Sequence, residues 1–213
     1  MLAYVPASRR PGVAALWRLD EAMARIVARA REPALAQLRL VWWRDSLAAL
    51  AGDGPPPIDP LLEAVRDTVL PAVPGARLAT ITEGWAELLD APDADALTRF
   101  ARDRGGTLFE AAATLLGMPA WPDAFRAGEV WSLVDVADRF PAALALVRER
   151  QGQGRSAPWP KPLRPLGMIA ALAAADARLG RVPIARGGPA RIGRMIAHRL
   201  NGRTGLGGTP SPR

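Results

Sequence analysis

Between its prolines this chain repeats one pattern: apolar residues return every third or fourth position, and no segment alternates with the period of two that a half-buried strand requires. Leu16, Leu19, Met23, Ile26 and Ala30 make the inner face of a helix that Pro11 can start in its first turn and Pro33 ends. Leu62, Val65 and Val69 do the same for a helix from about 59 to 70. Leu97, Phe100, Leu108, Ala112 and Leu115 form the stripe of a longer one, capped by Asp93 or Asp95 and reaching Leu116. Gly105 and Gly106 sit inside that helix at a cost of about 1 kcal/mol each relative to alanine, which predicts a close crossing or a kink. Further helices are expected over 78–89, from 123 or 124 to Pro141 and on to Arg150, over 166–179 and over 189–200. The run GDGPPP (52–57) and the segment 152–165 read as loops. The expectation is an all-α, single-domain helical bundle over residues 1–202, followed by a disordered basic tail over 203–213.

The stretch EPALAQLRLVWWRD (32–45) is the most distinctive. Leu35, Leu38 and Trp42 fall on one stripe of a helix reaching Ala51, and Leu40, Trp43 and Leu47 on a neighbouring stripe. A helix apolar over so much of its girth is expected in the middle of the bundle. Arg39 and Arg44 would then need acceptors, because an unpaired buried guanidinium costs several kcal/mol. Neighbouring acids could supply them, or the pair could grip a diphosphate through charge-assisted bonds.

Composition narrows the chemistry. At 213 residues with 49% hydrophobic content the chain can bury a sizeable core. It has no cysteine, so neither a disulfide frame nor a thiolate metal site is available. His198 is the only histidine; it lies among arginines without an acidic partner and is expected at the surface. The net charge of +7 is concentrated late, since no acid follows Asp176 while Arg178, Arg181, Arg186, Arg191, Arg194, Arg199, Arg203 and Arg213 do. Such an end suits anionic lipid, a diphosphate or a solvated tail; nucleic acid is the weakest option, because no binding motif accompanies the charge. The N-terminus lacks an apolar core of signal-peptide length, and no uncharged stretch is long enough to span a bilayer. The expected location is cytoplasmic, with contact to the inner membrane face as the peripheral variant.

Carboxylates recur at helical spacing. Glu83, Glu87 and Asp90 share a face, Asp135 and Asp138 are one turn apart, and Asp20 adjoins Glu21. Such sets can hold Mg²⁺, which prefers oxygen ligands, or can simply pair with arginines at the surface. Trp17, Trp42, Trp43, Trp85 and Trp131 all fall in expected helices, where they either wall a pocket for an elongated apolar ligand or fill the core.

In order along the chain, YVPASRRPGVAALWRLDEAMARIV, EPALAQLRLVWWRDSL, GGTLFEAAATLLG, AGEVWSLVDVADRFP and PARIGRMIAHRLNGR resemble the squalene/phytoene synthase family. The likeness is greatest to the branch that includes the mitochondrial complex I assembly factor of synthase-like fold. The resemblance implies an isoprenoid-synthase bundle in which two aspartate-rich motifs on facing helices hold Mg²⁺ against the diphosphate of a prenyl substrate. Asp20, Glu21, Asp135 and Asp138 stand where those motifs belong, Arg39 and Arg44 are diphosphate candidates, and Trp17, Trp42, Trp43 and Trp131 are pocket candidates. No aspartate recurs one turn after Asp20, where Ala24 and Arg25 stand, and Phe140, Pro141, Ala142 and Ala143 follow Asp138 in place of a further acid. Two readings follow. One is a non-catalytic isoprenoid- or lipid-binding protein, or an assembly protein partnering a respiratory-complex subunit, with no cofactor. The other is a Mg²⁺-dependent head-to-head transferase acting on farnesyl or geranylgeranyl diphosphate. A helical interaction module without a ligand is a third.

Overall fold

The computed structural model describes residues 1–50, 52, 58–150, 157–180 and 188–204, and it holds no strand among them. In chain order the helices are α1 (Arg10–Ala28), α2 (Pro33–Ala49), α3 (Pro60–Thr68), α4 (Gly75–Ala86) and α5 (Ala94–Phe100). A six-residue π-helical segment, Ala101–Gly106, joins α5 to α6 (Thr107–Leu115). Then come α7 (Pro122–Val136), α8 (Ala143–Arg150), α9 (Arg164–Leu179) and α10 (Pro189–Asn201). Proline occupies the first turn of α1, α2, α3, α7, α9 and α10, where its missing N–H has no intrahelical acceptor to lose. Asp59 accepts from the amides of Leu61 and Leu62 at the start of α3, and Asp93 from Ala96 at the start of α5.

Most of the expected apolar stripes meet in one core, although α1 ends at Ala28 and buries Val27 in its last turn, leaving Ala30 exposed. Leu16, Leu19 and Met23 of α1, Leu62 of α3, Leu78 and Ile81 of α4, and Phe100 and Phe109 of the long helix are fully buried. The π segment lies at the centre, packed against α4 on one side and α7 on the other. The glycine pair has the role its position suggested. Gly105 crosses Gly128 of α7 so closely that a Cβ on either would strike the carbonyl of the other, and Gly106 lies beneath the ring of Phe125. The wider π turn sits where this close crossing occurs.

Helix α2 departs from expectation. It lies at the edge of the bundle, with Leu35 53%, Leu38 64% and Trp42 47% exposed. Only Ala36, Leu40, Ser46 and Leu47 are buried, on the face that meets α4. The reason is geometric: apolar residues all round a helix permit burial on every side, but the bundle supplies a close neighbour on one. Arg39 and Arg44 are consequently not interior charges; Arg44 pairs with the adjacent Asp45 at 2.8 Å where both are open to water.

His198 departs in the other direction. It is 1% exposed, on the face of α10 that packs against α9. Its Nδ1 lies 2.9 Å from the carbonyl of Arg203, so Nδ1 must carry the proton of the neutral ring and donate it. Nε2 has no hydrogen-bond partner among the described residues and abuts Gly167, where any Cβ would collide with it. Sequence pattern missed this because the ring is buried by Gly167, an absence of side chain on another helix. Of the expected tail, Arg203 and Thr204 are placed against this corner, Thr204 being 8% exposed; residues 205–213 lie outside the described residues.

Two outcomes follow from this packing. Gly128→Ala should destabilise the protein by about 1–3 kcal/mol through overpacking at the helix crossing, read as a lower urea midpoint with helicity retained. Burial lowers the His198 pKa, with the nearby Arg164 charge acting the same way and the Arg203 carbonyl opposing both. The unfolded chain therefore binds this proton first as pH falls, so its contribution is complete above about 6.5 and declines below. The protection factors of the α10 amides, taken against the intrinsic exchange rate at each pH, should fall as pH drops from 7 towards 5, and His198→Asn, which keeps an N–H near the Nδ1 position, should flatten that dependence.

Candidate functional site

Four helical segments converge on one guanidinium. Arg104 projects inward from the π segment and is 2% exposed. Its Nε and Nη2 donate to the two carboxylate oxygens of Asp20 on α1, each at 2.8 Å, a bidentate fork. Nη2 also donates to Asp135 of α7 at 3.0 Å. The indole Nε1 of Trp85, on α4, donates to the same Asp20 oxygen at 2.8 Å. The guanidinium carbon lies 4.3 Å from the ring centre of Trp85, 4.4 Å from that of Trp131 and 5.3 Å from that of Phe100. Nη1 alone has no acceptor among the described residues.

Burial by itself would lower the Arg104 pKa, but Asp20, reinforced by Asp135, outweighs it and the value is raised. The group is a fixed cation. Its position was legible after the fact: Arg104 fills the gap in the stripe Leu97, Phe100, Leu108, Ala112, just as Asp20 falls on the stripe of Leu16 and Met23. A charged residue on each of two apolar stripes is the signal that the pair meets. Arg39 and Arg44, beside the tryptophan pair on α2, take no part in this cluster.

Asp20 and Asp135, from the two expected metal motifs, are thus brought together, and Arg104 stands between them. Glu21 and Asp138 are exposed. Among the described residues no group of three or more acidic or histidine side chains is arranged to hold a metal ion. Glu87 pairs with Arg99 at 2.8 Å on the surface, and Glu83 is exposed. Of the aromatic candidates, Trp17 and Trp131 flank Phe109, at 6.3 and 5.4 Å between ring centres, and so belong to the central layer. Trp42 and Trp43 pack edge to face on α2, Trp42 exposed and Trp43 partly buried against the core. Arg44 lines a groove between α2 and α4 with Gln37, Glu83 and Glu87. A cleft of about 210 Å³ lies beside the central site, lined by Trp131, Val134, Asp135, Ile169, Leu172 and Asp176.

The family model for squalene/phytoene synthase matches residues 1–151. The chain belongs to the squalene/phytoene synthase family. No curated protein and no solved structure matches it. The all-α bundle is accordingly of the isoprenoid-synthase type. All the expected site residues, and Arg104 with them, fall within the family match, whereas α9 and α10, including the PARIGRMIAHRLNGR segment, lie beyond it. No helix among the described residues of this squalene/phytoene synthase family member is long and apolar enough to cross a membrane.

Removing one partner from a buried ion pair leaves the other charge stranded. Arg104→Met should therefore cost about 3–5 kcal/mol in urea unfolding. Asp20→Asn keeps an acceptor for Trp85, so the double variant Asp20→Asn/Arg104→Met should lose clearly less than the two single losses summed.

Proposed function

We propose that this chain keeps the squalene/phytoene synthase scaffold without the metal-dependent condensation, and serves as an isoprenoid- or lipid-binding or membrane-complex assembly protein. The observation that carries this reading is the Asp20–Arg104–Asp135 cluster. In the family's chemistry the carboxylates of facing helices hold Mg²⁺; here both oxygens of Asp20 and one of Asp135 accept hydrogen bonds from an internal cation. A divalent ion within about 4 Å of that guanidinium would meet a repulsion of roughly 8 kcal/mol at an effective dielectric of 20. The residues present do not fit a Mg²⁺ cluster, and the shortened motifs after Asp20 and Asp138 agree.

The adjacent cleft supports the same reading. At about 210 Å³ it falls below the roughly 300–1,000 Å³ usual for ligand sites, too little for two prenyl diphosphates side by side. Its apolar wall of Trp131, Val134, Ile169 and Leu172 suits a single apolar group. The likeness to the assembly-factor branch makes a respiratory-complex subunit the partner class this role implies. The transferase reading rests on one observation, that Asp20 and Asp135 still converge.

Incubation with farnesyl or geranylgeranyl diphosphate and Mg²⁺ should release no pyrophosphate and form no apolar product. Farnesol should instead quench tryptophan fluorescence, and Trp131→Leu should weaken that response. Mg²⁺-dependent turnover that disappears in Asp20→Asn/Asp135→Asn would overturn the proposal in favour of the transferase.

A further inference from the structure

Helix α10 turns His198, Arg191 and the partly buried Met195 inward and leaves its other apolar side chains facing out. The inward face carries His198 against Gly167 and Trp159, and Arg191, whose Nη1 bonds both oxygens of Asp176 on α9. Arg164 donates to the carbonyls of Arg199 and Leu200 at 2.9 Å, closing the helix's C-terminal end. Gly202, with φ of 75°, turns the chain so that its carbonyl accepts from the amide of Trp159. These are directional contacts, so the orientation of α10 is fixed and its outer face is not the product of a loosely held helix.

That outer face is apolar over an arc of about 140°, counted at 3.6 residues per turn: Ile192, Gly193, Ile196, Ala197 and Leu200. Ile192 is 61%, Ile196 49% and Leu200 74% exposed, and a Cβ added at Gly193 would meet nothing within 4 Å. No polar side chain interrupts the arc. Arg194 and Arg199 border it and Arg203 follows it, all exposed, and Arg199 lies over the half-exposed ring of Tyr4 with 5.9 Å to its centre. No acidic residue follows Asp176, whose carboxylate is engaged by Arg191.

We propose that the outer face of α10 is a docking surface for an anionic phospholipid bilayer. The helix lies in the interface plane, with Ile192, Ile196 and Leu200 among the acyl chains and Arg194, Arg199 and Arg203 at the level of the phosphates. Tyr4 adds an aromatic ring at the same depth, where such rings are favoured. A bilayer fits better than a protein surface because the arc offers aliphatic area and bordering positive charge, with no group that would set a register. The surface is separate from the Arg104 cluster, and the proposal does not depend on the catalytic reading.

The test is flotation of the full chain with vesicles of phosphatidylcholine alone or mixed with phosphatidylglycerol, at low and high salt. Binding is expected to the anionic vesicles, weaker to neutral ones and weakened by salt. Ile192→Ser/Ile196→Ser should reduce the partition coefficient at least about tenfold while leaving the melting temperature nearly unchanged, since both side chains face solvent. Arg194→Gln/Arg199→Gln should remove the preference for anionic lipid. Absence of vesicle binding, or binding that the isoleucine variant leaves intact, would overturn the proposal. So would a lipid-free dimer, seen by light scattering, that the same variant dissociates.

Discussion

Everything in the middle of this bundle is arranged around a guanidinium that cannot leave it. Arg104 carries its charge at 2% exposure, which is tolerable only because Asp20 meets it with two oxygens, Asp135 with one, and the rings of Trp85, Trp131 and Phe100 line its faces. The partners come from four helices, so the cluster ties α1, α4, α5 and α7 to the π segment. In a squalene/phytoene synthase the same interior is expected to present carboxylates to metal ions. Here an internal cation answers the electrostatic problem that two acids facing one another in a low dielectric pose.

Reaching that arrangement demands unusual backbone. The long helix is widened into a π segment at Ala101–Gly106, and two glycines, Gly105 and Gly128, let it approach α7 closely enough for Arg104 to touch Asp135. Gly84 matters in the same way: a Cβ there would press on the backbone of Arg104 from the α4 side at 2.6 Å. Small residues thus surround the largest buried charge, and the space its long side chain needs is bought by removing neighbours' side chains.

The rim of the molecule shows the complementary lesson. Helices α2 and α10 both expose apolar side chains, but for different reasons. The outward residues of α2 belong to a helix apolar on several faces, of which the bundle covers one. The outward arc of α10 belongs to a helix whose inward face is set by His198, Arg191 and the cap from Arg164. The first is a matter of limited neighbours; the second is an orientation held by specific bonds.

Helical period, proline placement and capping residues were enough to establish the fold class and most element boundaries, because these depend on local spacing along the chain, while the family likeness rested on the resemblance of particular motifs. Asp20 and Asp135 were also legible, as acids at motif positions. Their real partner was not: Arg104 is 84 residues from one and 31 from the other, and only packing decides which of many arginines fills a gap in an apolar stripe. The same holds for His198, buried by the missing side chain of Gly167, and for α2, left at the edge because a helix cannot encode how many neighbours it will have. Local sequence determines what a segment can bury; the tertiary structure decides what it does bury, because burial is a property of pairs of surfaces.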